Sequence, residues 1–99
     1  MQANDSQTLV LCALAGGPLH GYAINTAIEE LNGERLGPGS LYGALARLEA
    51  KELIEALGES GRQRPVRLTL AGREVLEREL RSMARVAEVG LRQLGLRPA

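Results

Sequence analysis

Apolar residues recur along the chain in blocks whose spacing changes from helical to extended and back. After the caps Asp5 and Ser6, the set Leu9, Val10, Cys12, Ala13 and Leu14 predicts a mostly buried first helix over 5–15 that stops at Gly16-Gly17-Pro18. From His20 to Leu31, Tyr22, Ala23, Ile24, Ala27, Ile28 and Leu31 recur at three- and four-residue spacing, and Asn32-Gly33 ends this second, amphipathic helix. Gly37-Pro38 opens a third, because proline at the first helical position gives up an N–H that has no intrahelical partner anyway. Leu41, Leu45 and Leu48 mark its buried side over 38–51, and its other side carries Ser40, Gly43, Arg47 and Lys51, which do not suit a core.

The pattern then becomes extended. Leu53–Leu57 and Val66–Leu70 read as short strands joined by Gly58–Pro65, a hairpin loop that contains Arg62 and Arg64. Residues 71–94 contain no proline, and Leu76, Leu80, Met83, Ala87, Leu91 and Leu94 fall on one seam of a long final helix. The order of three helices, a hairpin and a long helix is that of a winged helix-turn-helix. The fold class expected is mainly α with a small β-hairpin, in which residues 1–70 form the winged part and 71–99 a C-terminal dimerisation helix.

Composition narrows the function. At 99 residues the chain suits one domain, and a core this small gains much from a partner subunit. One cysteine, Cys12, and one histidine, His20, permit neither an intrachain disulfide nor a structural zinc site, so no metal or other cofactor is expected. Cys12 itself reads as a small core residue. The apolar run from Leu9 to Ala15 is far below the ~20 residues of a membrane span, and no basic secretory start precedes it, so a cytoplasmic protein is expected. The only aromatics are Tyr22 and Tyr42, which leaves little means of stacking bases along a single strand. No carboxylate pair, activated nucleophile or phosphate-binding glycine loop is present, so no enzyme is expected. Twelve basic and twelve acidic residues cancel over the whole chain, but not locally. Residues 1–34 hold four acids and no Lys or Arg, whereas residues 35–73, which include the third helix and the hairpin, carry a net +3 and are the part suited to face a polyanion.

Three segments are more specific than this layout. Residues 11–24 read LCALAGGPLHGYAI, 37–49 read GPGSLYGALARLE and 61–73 read GRQRPVRLTLAGR. Together they resemble the PadR family of bacterial transcription regulators. That family has an apolar first helix, a P-x-H-G-Y turn, a G-[ST]-L-Y start to the recognition helix followed by L-x-R-L-E, a basic wing, and R-L-T-x-x-G-R leading into a C-terminal dimerisation helix. The length resembles the short branch with a single C-terminal helix. Two positions depart from the pattern: Pro65-Val66 stands where a tyrosine pair is usual, and Gly43 where proline is common. The first of these bears on the length and anchoring of the wing.

The resemblance implies a homodimeric repressor that binds an inverted repeat in double-stranded DNA through the third helix and the wing. The residues expected at DNA are Tyr22, Ser40, Tyr42, Gly43, Arg47, Lys51, Arg62 and Arg64. Arg47 and Lys51 suit phosphates or a guanine edge, against the alternative of a solvated face paired with Glu52 or Glu55. Tyr42 is placed either at a phosphate or half-buried under the wing. Arg67 alternates with Val66 and Leu68 and points away from the core. For His20 a capping or helix-packing role is expected. The seam Leu76, Leu80, Met83, Ala87, Leu91 and Leu94 is expected at the dimer interface, because a helix of ~24 residues is about 36 Å long and overruns so small a core. A cleft between such helices and the winged domains has room for a small-molecule effector that nothing in the sequence names. The alternative function is a winged-helix module that uses the same surfaces against a protein, which the neutral net charge permits.

Overall fold

The computed structural model describes residues 5–58 and 64–97, so Arg62 of the expected DNA-contact set lies outside them. Helix α1 spans Ser6–Ala13 and ends in a 3-10 turn, Leu14–Gly16; α2 spans Gly21–Asn32, α3 Pro38–Ala50 and α4 Leu70–Gln93. Strands β1 (Ile54–Ala56) and β2 (Val66–Leu68) pair antiparallel, with Ile54 opposite Leu68, Glu55 opposite Arg67 and Ala56 opposite Val66. This is the mainly helical architecture with a small hairpin that the sequence predicts.

Helix α1 lies at the centre. Leu9, Val10, Leu11 and Leu14 are buried against Ile24 and Ile28 of α2 and Leu41, Ala44 and Leu48 of α3, and Leu36, Ile54 and Leu76 close the cluster. Cys12 is half-buried and packs against this cluster. The start of α1 is set by Asp5, whose carboxylate accepts from both the N–H and the hydroxyl of Thr8 at 2.9 and 2.8 Å. Partial burial works to raise the Asp5 pKa, but the Thr8 backbone and hydroxyl bonds outweigh it and hold the group below its ordinary value.

The hairpin has a third partner. Leu19, in the turn before α2, exchanges both backbone hydrogen bonds with Val66, at 3.0 and 2.8 Å, so β2 lies between β1 and this one-residue bridge. Pro65 falls one residue before the strand, where its missing N–H is not needed, and its carbonyl accepts from Leu57 at 2.8 Å.

One junction joins α3, the hairpin and α4. Helix α3 ends in a Schellman arrangement, in which Leu53 N–H reaches the Leu48 carbonyl at 3.0 Å and Glu52 takes the left-handed conformation with φ 60°. The Thr69 N–H then bonds the Leu53 carbonyl at 3.1 Å. Its hydroxyl donates to the Glu52 carbonyl at 2.8 Å and accepts from the Gly72 N–H at 3.0 Å, which caps α4. Gly72 presses directly on the Leu53 carbonyl, and a Cβ there would collide with that backbone.

Two outcomes follow from these contacts. Gly72→Ala, which in an exposed helix would stabilise, is expected to destabilise this protein by about 1–3 kcal/mol in urea unfolding, because the obstruction is backbone. Asp5→Ala is expected to cost about 1 kcal/mol at neutral pH by the same measurement. Because the folded carboxylate titrates below its unfolded value, that stability is present above the unfolded pKa near 4. It is lost as pH falls through the folded pKa, so the difference between wild type and variant should shrink in acid.

Candidate nucleic-acid interface

Helices α2 and α3 meet at a short turn fixed by one side chain. Asn25 accepts from the Leu36 N–H at 2.8 Å and donates to the Leu36 carbonyl at 2.9 Å, so its amide pairs with a backbone unit as a neighbouring strand would. Leu36 is buried, and α3 begins two residues later at Pro38. Arg35 in the same turn lies over the Tyr22 ring, 5.3 Å from its centroid, and bonds Glu29 at 3.1 Å. Tyr22 is 77% exposed.

Of the residues expected at DNA, most gather on α3 and beside it. Pro38, Gly39, Ser40, Tyr42, Ala46, Arg47, Glu49 and Ala50 are exposed, with Gly43 half-buried among them. The Tyr42 hydroxyl lies against Gly21 at the start of α2, where an added Cβ would be 3.4 Å away. Tyr42 and Arg64 also line one groove of about 300 Å³ with Leu45, Glu49, Ile54, Ala56 and Val66, which joins α2, α3 and the hairpin. At 61% exposure Tyr42 is accessible there. Among the described residues no side chain caps the start of α2 or α3, whereas Asp5 and Thr69 cap α1 and α4. The free first-turn N–H groups of α2 and α3 suit an anion.

The cations divide into committed and free. Arg35, Arg67, Arg81 and Arg92 each bond a glutamate, at 3.1, 2.9, 2.8 and 2.8 Å. Among the described residues Arg47 and Arg64 have no such partner, and Glu55, one of the carboxylates considered for Arg47, is taken by Arg67. Lys51 is exposed at the end of α3, and its ammonium donates to Gln7 of α1 at 2.8 Å. That bond turns the ammonium toward α1, away from the outward face of α3. His20 occupies the N-cap position of α2, but only its carbonyl contributes, accepting from Ile24 at 2.9 Å; the imidazole makes no capping bond.

The residues expected at a dimer interface also divide. Leu76 is 5% exposed within the core of its own domain, because the first two turns of α4 pack there. Leu80 is 39% exposed, Met83 and Leu91 are half-exposed, and Ala87 and Leu94 are exposed, the last at 75%. A groove of about 430 Å³ between β2 and α4, lined by Ala15, Leu68, Arg73, Leu76, Glu77, Leu80 and Arg81, opens beside this seam. Among the described residues no helix is long and apolar enough to cross a membrane, and no cluster of three metal-ligating side chains occurs.

Sequence reasoning missed Asn25 and Arg35. A polar residue on the inner half of an amphipathic helix, thirteen residues before a proline-started helix, was the available signal for Asn25; nothing local points to the pairing of Arg35 with Tyr22.

A helix-turn-helix with a hairpin packed beside its second helix, followed by a long projecting helix, defines a winged helix-turn-helix protein. The chain belongs to the transcriptional regulator PadR-like family, whose model matches residues 10–78. It is thus a member of a family of transcription regulators rather than of enzymes. The chain is 72% identical over 87 residues, 88% of its length, to an uncharacterized 37.1 kDa protein of transposon Tn4556 from Streptomyces fradiae, and it spans a quarter of that relative's length. A PadR family transcription regulator of Clostridium difficile is 28% identical with a TM-score of 0.75, over 90% of this chain and 96% of that one. The PadR-like regulator of Bacillus cereus, 22% identical over 89% of each chain, shares the fold with a TM-score of 0.77.

If the Asn25 clamp fixes the helix-turn-helix angle, Asn25→Ala should lower stability by about 1–3 kcal/mol in urea unfolding. Asn25→Asp, which can still accept from the Leu36 N–H, should recover part of that loss.

Proposed function

We propose that the protein is a cytoplasmic, homodimeric repressor that binds an inverted-repeat operator, with residues 1–70 as the DNA-binding part and 71–99 as the dimerisation helix. The observation that carries this reading is the disposition of charge around α3. Arg47 on one flank and the Tyr42–Arg64 groove on the other bound an outward helix face free of long side chains, and neither arginine has a carboxylate partner among the described residues. In this reading α3 enters the major groove. Arg64, with Arg62 beside it in sequence, follows the backbone or the minor groove, and Ser40, Tyr42 and Tyr22 meet phosphates. The apolar seam from Leu80 to Leu94 packs on the same seam of a second copy. The two α3 helices then stand about one DNA turn, roughly 34 Å, apart. The groove beside Leu80 is walled by the partner helix and forms the cleft for a small-molecule effector.

The test is binding of the purified protein to the duplex upstream of its own gene, titrated over salt, with sedimentation to give the number of copies bound. Each phosphate neutralised releases counterions, so the wild type should bind as a dimer with a steep negative salt slope. Arg62→Ala with Arg64→Ala should weaken binding to all sequences and flatten that slope by about 1–2. If no duplex, including ones selected from random pools, binds better than competitor DNA, α3 and the wing serve a protein partner instead.

A further inference from the structure

The geometry of α3 also bears on how one base pair is told from another, an inference that rests on the reading of α3 as the helix that enters DNA. Opposite its buried edge of Leu41, Ala44 and Leu48, α3 turns Gly39, Gly43, Ala46 and Ala50 outward, so no side chain longer than a methyl stands at the middle of that face. Arg47 is the long side chain that leans across it. Its Nη1 lies over Gly43, so close that a Cβ at position 43 would be 3.3 Å away. The guanidinium therefore folds back one turn toward the start of α3 and lies along the helix instead of reaching straight into solvent. With no carboxylate to surrender among the described residues, its full fork of donors is available.

We infer that Gly43 determines specificity by leaving the berth in which the Arg47 guanidinium lies, and that Arg47 from this berth reads one guanine per half-site through its O6 and N7. Two properties support this. A guanidinium laid along the helix at its N-terminal half sits where a recognition helix meets base edges, and its planar fork matches the two guanine acceptors. Glycine in a helix interior is otherwise unfavourable relative to alanine, so position 43 gives up helix stability and leaves the space that Arg47 occupies. Gly43 acts through Arg47 and is a positioning residue. Arg47 makes the contact.

The experiment uses the full chain and the duplex that the wild type selects from a random pool. Each guanine of one half-site is replaced in turn by 7-deazaguanine, which removes N7 while keeping base pairing and charge. For the wild type, one position should weaken binding about 5-fold or more. In Arg47→Ala the same position should have no effect. Gly43→Leu fills the berth with a good helix former, so its thermal midpoint should equal or exceed that of the wild type, yet it too should lose the effect at that guanine. Gly43→Ala, which displaces the guanidinium by only a few tenths of an ångström, should lie between. An equal loss at that guanine in wild type and Arg47→Ala overturns the assignment of Arg47. A wild-type loss retained in Gly43→Leu overturns the role of the berth. Both results leave DNA binding itself intact, whereas a wild type that selects no duplex overturns the DNA reading and this inference with it.

Discussion

The contact on which the rest of the structure depends is the seat of α4 on the backbone of Leu53. Thr69 and Gly72 are three residues apart, one turn of helix. Thr69 closes two hydrogen bonds to the α3–β1 turn and caps α4, and Gly72 allows the helix to lie against the Leu53 carbonyl. Because Glu52 and Leu53 end α3 and open β1, while Thr69 ends the β2 segment, this one place fixes the end of the third helix, the base of the wing and the direction of the last helix. One of these bonds is backbone to backbone and the other two pass through the short Thr69 hydroxyl, so no long side chain intervenes. In the proposed dimer, the distance between two α3 helices is therefore set by the axis of α4 and the stiffness of this junction, and a change at the seam near Leu80 has a short rigid route to the wing.

The neutral net charge is resolved by looking at which arginines are already occupied. The Glu29–Arg35, Glu55–Arg67, Glu77–Arg81 and Glu88–Arg92 pairs are all substantially exposed, so each adds little to stability. Their larger effect is on the field: they offset charge on α2, the outer face of the wing and part of α4, while among the described residues Arg47 and Arg64 beside α3 keep no carboxylate partner, as Arg73, Arg78 and Arg85 keep none on α4. A chain with no net charge thus still presents a local cationic surface around α3, and the steering of a polyanion depends on that local surface more than on the sum.

What was legible in the sequence is what neighbours in sequence decide. Pro38 at the first position of α3, Gly33 at the end of α2 and the periodic leucines placed each helix within a residue or two. The stop of α1 was less clear, because Leu14–Gly16 continues as a 3-10 turn with no sequence mark of its own. The bridge between Leu19 and Val66, the amide of Asn25 on Leu36 and the bond from Lys51 to Gln7 join residues 47, 11 and 44 positions apart. No spacing rule reports such pairs. Lys51 shows the consequence: helical periodicity puts it on the polar side, and only the position of α1 shows the bond of its ammonium to Gln7. Leu76 shows the same at the other end of the chain. It belongs to the apolar seam by period, yet the core of its own domain reaches far enough along α4 to cover it.

From Leu80 onward α4 has no such cover. Its 24 residues make a rod of about 36 Å, and Leu76 is its last fully buried side chain, so most of the helix projects from the domain and stretches the molecule to 53 Å. Two i,i+4 Glu–Arg pairs on the polar side contribute about 0.3–0.5 kcal/mol each, too little to hold an unsupported helix in water, where helical stability comes mainly from packing an apolar face. That face is available: Met83, Ala87, Leu91 and Leu94 continue the line of Leu76 and Leu80, and Val86 and Gly90 widen it on one side. Glycine at position 90, open on its exposed side, would weaken a solitary helix but permits another backbone to come close. This stretch thus leaves an apolar face open to a second apolar surface. In the proposed dimer a two-fold related copy of α4 supplies one of the same length and the same spacing, which is why the long helix, and not the winged core, is the element we propose to hold the partner.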